Sequence, residues 1–160
     1  MELFPTKQYT SEHPRIDPTE KEFWIAWLLS EKYKDKQGYE ALYTTTRSGV
    51  GFCCLGVYCE EKKVPKSIVT ATNIWYGNPG NDSKGYIPQG YQIPWDEGDE
   101  DIKYAYGSGF DGNSVIFELV EQGLDGLPVS NYPKPFTVAT LNDSRQFTFA
   151  QMADVIRYFL

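Results

Sequence analysis

Three cysteines are the residues whose type and placement most directly suggest chemistry. They lie in the run Phe52-Cys53-Cys54-Leu55-Gly56-Val57-Tyr58-Cys59. A thiolate is both nucleophile and metal ligand, and a helix N-terminus beside it lowers its pKa. The run reads as a strand ending at Phe52 and a short helix from Cys54 to Lys62, with a continuous strand as the rival. On a helix, adjacent cysteines point about 100° apart. Zinc sites instead use C-x₂₋₄-C spacing with a second pair, and the single histidine, His13, lies far away in sequence. Free cysteine packs as a small hydrophobe. The expectation is therefore three buried, reduced thiols, with no metal and no cofactor. If the chain is an enzyme, Cys54 and Asp143 are the residues to carry it, but the reading leans to a protein without catalysis.

Asn142 and Asp143 follow an apolar segment and shortly precede a capped helix. They could orient a ligand or exchange a proton, or bond nearby backbone donors in a turn. Gly107-Ser108-Gly109-Phe110-Asp111-Gly112 spells G-x-G-x-x-G between an expected strand and an expected helix. The acidic partner and repeated βαβ units of a dinucleotide fold are missing, so a flexible turn is the simpler reading, with anion binding left open. Gly80 to Gly85 imitates a phosphate loop, but Tyr86 stands where the lysine belongs. The acidic run Asp96 to Asp101 lacks calcium-loop spacing and reads as a solvated loop.

Aromatic loops form the strongest binding candidate. Trp75, Tyr76 and Asn78 stand in one segment, and Tyr86, Tyr91 and Trp95 in the next, interleaved with Gly, Asn and Pro. Such rings can make a stacking wall for a planar ligand while amides fix its orientation. With Asn142 and Asp143, these six make up the expected ligand-binding set. The rival is a satellite cluster that only pins long loops.

The elements that must position these residues are unevenly marked. Asp17 can cap a first helix with Pro18 at its first position and Glu20 three residues after the cap. Phe23, Trp24, Trp27 and Leu28 then give an apolar face to about Ser30. Strands are expected at Ala41–Thr46, Ile68–Thr72, Tyr86–Ile87, Ile102–Tyr106 and Phe136–Leu141, with Arg47–Gly51 as a turn. A helix is expected over Ser114–Gln122 and another after Thr148. There Gln151 completes a capping box, and Phe147 and Met152 form a hydrophobic staple. Ala153, Ile156 and Leu160 continue the stripe. The fold expected is a single α+β domain over 17–160, following an extended arm at 1–16. A small mixed or antiparallel sheet carries N- and C-terminal helices and long aromatic-rich loops.

Composition narrows the function classes. The chain of 160 residues is the size of one ordinary core, and 16% of it is aromatic. Net charge is −7, which works against attraction to phosphate backbones, so nucleic acid is not an expected partner. No segment approaches the roughly 20 apolar residues of a membrane span, and no signal-peptide pattern opens the chain. An odd number of cysteines, two of them adjacent, suggests reduced thiols in a cytoplasm.

Three segments together resemble a widespread family of small phage and prophage proteins. They are the first helix with Trp24 and Trp27, the run Phe52 to Cys59, and Leu141-Asn142-Asp143 with Phe149 and the final helix. Family members carry leucine where this chain has Tyr58, and the matching segments cover about half of it. The resemblance implies a viral or prophage source, and hence a host-cell cytoplasm, without implying a mechanism. The function expected is an accessory protein that binds a small, nucleotide-like ligand or a host protein and counteracts a host defence. Two alternatives stand beside it: a small enzyme, and a protein–protein module without ligand. Homo-oligomerisation is left open.

Overall fold

Asp17 accepts a hydrogen bond from the Glu20 backbone N–H at 3.0 Å, and Pro18 occupies the first turn of the helix that follows. That cap starts α1 (Pro18–Leu28), which buries Trp24, Ile25 and Leu28, with Phe23 and Trp27 half-buried beside them. These contacts come from a computed structural model that describes residues 16–94, 115–116 and 136–159, apart from 48, 72, 86, 89 and 146. The arm at 1–15 with His13, the acidic run 96–101, the strand expected at 102–106 and the glycine loop 107–112 lie outside the described residues.

After a 3-10 turn at Glu31–Tyr33, β1 (Tyr43–Thr46) and β2 (Gly49–Phe52) pair antiparallel, with Thr46 opposite Gly49. The turn expected over Arg47–Gly51 is thus shorter, because Gly49 to Gly51 already belong to the ladder. Next comes α2 (Cys54–Glu61), with Cys53 as its N-cap residue. Every residue from Cys54 to Cys59 is buried. A helix covered on all sides carries no polar stripe, which is why periodicity could not separate it from a strand.

A second sheet, β3 (Lys66–Ile68), β4 (Ile74–Asn78) and β5 (Asn81–Ser83), is antiparallel with β4 at its centre. Asn78 pairs with Asn81 across Pro79-Gly80, and Gly80 has φ +89°. Proline then glycine at these positions suits a type II turn. Gly77 has φ +115°, and a Cβ there would stand 2.2 Å from the Asn81 carbonyl oxygen, so only glycine fits this ladder.

Several expected elements are corrected. The strand expected over Ile68–Thr72 is, among its described residues, strand at Ile68 alone, the last residue of β3, and Ile87 lies in no strand. Val115–Ile116, assigned to a helix over 114–122, is strand β6, paired with β7 (Phe136–Thr137). β-branched residues accept extended backbone readily, and a pairing partner outweighs a weak i, i+4 pattern. The strand expected to run on to Leu141 stops at Thr137, and α3 (Val138–Asp143) begins. Val138, Leu141 and Asn142 are buried, an i, i+3, i+4 set that one helix face satisfies. Finally α4 (Phe149–Phe159) opens with the expected capping box. The Thr148 N–H donates to Gln151 Oε1 at 2.9 Å, and the Gln151 N–H to Thr148 Oγ1 at 3.2 Å. The two staple residues, Phe147 and Met152, are both buried.

The chain is therefore α+β, with its N- and C-terminal helices packed on each other. Phe149, Met152, Ala153, Val155 and Ile156 of α4 enter the same core as the apolar face of α1. Among the described residues no helix is long and apolar enough to cross a membrane.

Candidate functional site

The backbone of Cys54 joins the segments that sequence reading singled out. Its carbonyl accepts from the Trp24 indole Nε1–H at 2.7 Å, and its N–H donates to Asn142 Oδ1 at 3.2 Å. Asn142 has no exposed surface. Its Oδ1 also accepts from Gln37 Nε2 at 3.0 Å, and its Nδ2 donates to the Gly38 carbonyl at 2.9 Å and to Asp143 Oδ1 at 3.2 Å. Asp143 Oδ1 accepts the Glu40 backbone N–H at 2.9 Å. Asn142 thus satisfies one of the orphan donors at the start of α2, a task that helix termini require of some neighbour.

Gly56 completes this joint. A Cβ there would sit 1.8 Å from the Leu42 carbonyl oxygen, so the helix rests directly on the chain entering β1. Around it the three thiols are free and buried. Burial pushes the Cys53 thiol up to about 12, against the opposing pull of the Gly56 and Leu55 backbone N–H groups. Burial likewise drives Cys54 and Cys59 well above the ordinary thiol value. Desolvation outweighs the helix terminus here, and the thiols remain protonated at neutral pH.

The other end of α2 is built from charges. Tyr33 Oη and Lys32 Nζ both donate to Glu61; Tyr58 Oη and Lys62 Nζ to Glu20; Tyr76 Oη and Lys66 Nζ to Glu60. Three tyrosine–carboxylate–lysine triads thus tie α2 to the 3-10 turn, to α1 and to the second sheet. In each, burial and the adjacent carboxylate raise the phenol pKa. Burial opposes charge on Glu61, but hydrogen bonds from Lys32 and Tyr33 hold its carboxyl below the ordinary value of 4.5.

The expected ligand-binding residues are dispersed by this architecture. Trp75 and Tyr76 are neighbours on β4, so their rings leave opposite faces of the sheet. Trp75 is half-buried, whereas Tyr76 is wholly buried and bonded to Glu60. Asn78 is exposed, with Nδ2 3.5 Å from Tyr91 Oη, so these two are brought together. Asn142 and Asp143 adjoin each other at the N-terminus of α2. Tyr86 and Trp95 lie outside the described residues.

An open groove of about 520 Å³ lies elsewhere, where the end of α1 and the 3-10 turn meet the start of α4. Leu28, Leu29, Tyr39 and Phe149 supply apolar lining, Gln37 and Thr148 polar groups, and Glu31, Lys34 and Asp35 charged ones. Leu29 is 52% exposed, beyond the buried face of its helix. The Arg145 guanidinium stands 4.7 Å from the centre of the Tyr39 ring, close enough to hold that ring by cation–π attraction. Sequence reading did not single out this groove, since its residues come from a helix end, a turn and a cap. The one signal available was Leu29, apolar but following Leu28 off the helical stripe.

Comparison of the chain with family models, with curated proteins and with solved structures finds no match in any of the three.

Proposed function

We propose that this chain is a non-catalytic binding module that takes a small, nucleotide-like ligand in the groove between α1 and α4. In biological terms it would be a phage or prophage accessory protein, the source implied by the resemblance of the Trp24, Cys53-Cys54 and Asn142-Asp143 segments, and the role we assign it is to counteract a host defence. The groove carries the reading. Its volume falls within the roughly 300–1,000 Å³ usual for ligand sites, and it mixes rings and aliphatic carbons with polar groups and with the charges of Glu31, Lys34 and Asp35, of which Lys34 would face a phosphate. The two residues offered for catalysis have other employment: the Cys54 thiol is buried, and Asp143 accepts from a backbone N–H. A host protein remains the alternative occupant, and exposed Leu29 would be its first contact.

Thermal denaturation against a panel of nucleotides and their derivatives tests the small-ligand reading. A ligand at about 100 times its Kd stabilises the fold by about 2.7 kcal/mol. At least one panel member should raise the midpoint of the wild-type chain, and Tyr39→Ala should abolish that rise. A flat response across the panel removes the small-ligand reading.

A further inference from the structure

A second cavity of about 260 Å³ opens between the 3-10 turn, the first hairpin and the start of β3. Three lysines from two stretches of chain line it: Lys32 in the turn and Lys36 just after it, and Lys66 on β3. Tyr43, Val50 and Phe52 supply an apolar surface, with the Tyr43 and Phe52 rings edge-on and their centres 5.4 Å apart. Glu60 is the carboxylate in the lining. Counting Glu61 as well, which pairs with Lys32, positive charge remains in excess at this spot, on a chain whose net charge is −7.

Two of the ammonium groups are already held in position. Lys66 Nζ reaches both Glu60 oxygens at 3.0 Å and stands 5.3 Å from the Tyr43 ring centre. Lys32 Nζ bonds Glu61 and stands 5.5 Å from the Tyr33 ring centre. An ammonium has three donors, so a carboxylate partner fixes its place without exhausting its capacity. Less side-chain entropy is then lost when an anion arrives.

We propose that this cup binds a small phosphate monoester carrying a flat apolar group, with the phosphate on Lys32, Lys36 and Lys66 and the flat group against Tyr43, Val50 and Phe52. A monoester carries close to two negative charges at neutral pH, and the cup offers it three lysines, one more than its two carboxylates. The cavity is smaller than most sites for drug-sized ligands, which limits the body to about one ring. This site is separate from the larger groove, and Tyr33 lines both.

Titration of the full chain with phenyl phosphate, followed by backbone amide NMR, tests the proposal, with inorganic phosphate and phenol as the partial probes. Phenyl phosphate should shift the amides of Lys36, Val50 and Phe52, and each partial probe should bind about tenfold more weakly or worse. Lys36 is exposed, so Lys36→Gln should keep the fold, checked by circular dichroism, while weakening phenyl phosphate about fivefold. Lys34→Gln, in the lining of the larger groove, should leave the affinity unchanged. No shift of these amides at millimolar phenyl phosphate, or equal losses in the two lysine variants, overturns the site. Equal affinity for inorganic phosphate overturns the flat-group assignment.

Discussion

At its N-terminus α2 is held directly by neutral groups, an amide from Asn142, an indole from Trp24 and the Leu42 carbonyl against Gly56, with the Asp143 carboxylate one bond behind Asn142. Its C-terminal end is tied through three carboxylates, its own Glu60 and Glu61 and Glu20 of α1, each shared by a phenol and an ammonium. The first end is sealed, and its fit tolerates no added atom. The second borders solvent and spreads its stabilisation over partly exposed pairs, which are individually weak. One helix of eight residues therefore has a geometric end and an electrostatic end. Position should be intolerant of change at the first and graded at the second.

The largest effect that separates them is expected from Gly56→Ala. The new methyl carbon has no room before the Leu42 carbonyl, and overpacking of this severity costs about 3 kcal/mol or more. Urea denaturation should show a collapsed midpoint or no cooperative transition, and a loss below about 1 kcal/mol would erase the claimed close approach. Asn142→Ala comes next. It strands the Cys54 N–H and the Gly38 carbonyl, costing about 2 kcal/mol, and the same denaturation experiment reads it. If Asn142 instead serves a ligand, the variant will lose binding and keep its stability.

The smallest effect belongs to the charged end and is identified by its pH dependence. Glu61→Gln should cost about 1 kcal/mol at neutral pH. Because the Glu61 pKa is depressed in the fold, its contribution is present above the ordinary value of 4.5 and is lost as pH falls through the folded value. Wild type and variant should thus converge in acid. The alkaline limb belongs first to the thiols. Cys53 is raised from 9.0 to about 12, so stability is whole below pH 9 and drains away as pH climbs toward 12. Denaturation across the pH range checks both limbs. A Glu61→Gln difference that persists unchanged in acid would detach Glu61 from its partners.

Capped helices were legible in the sequence because capping is local: Asp17 with Glu20, and Thr148 with Gln151, meet within one turn. The thiols were legible as filling because cysteine spacing excluded the usual metal geometry. The second sheet was harder. Trp75, Tyr76 and Gly77 do not alternate apolar with polar, and Pro79-Gly80 looks like loop composition until Asn78 is seen opposite Asn81. Tyr76 was read as a wall for a ligand, yet its ring fills the core, and only its hydroxyl partner Glu60 explains the choice of tyrosine. Asn142 and Asp143 were read as ligand contacts or a turn, and in the fold they bond the Cys54 N–H, the Gly38 carbonyl and the Glu40 N–H. Their partners lie about a hundred positions earlier in the chain, beyond the reach of any local pattern. The large groove was invisible for the same reason, being assembled from two stretches more than a hundred positions apart, 28–39 and 148–150.

Cys54 also dictates an order of events during synthesis. Its carbonyl can find Trp24 while the chain is still short, since 30 positions separate them. Its amide must wait for Asn142, 88 positions further on. A ribosome releasing this polypeptide therefore exposes a half-docked apolar helix over the 88 positions that follow, until α3 emerges to close it and α4 follows to cover α1. Nascent chains stalled before residue 142 should be the form that recruits chaperones.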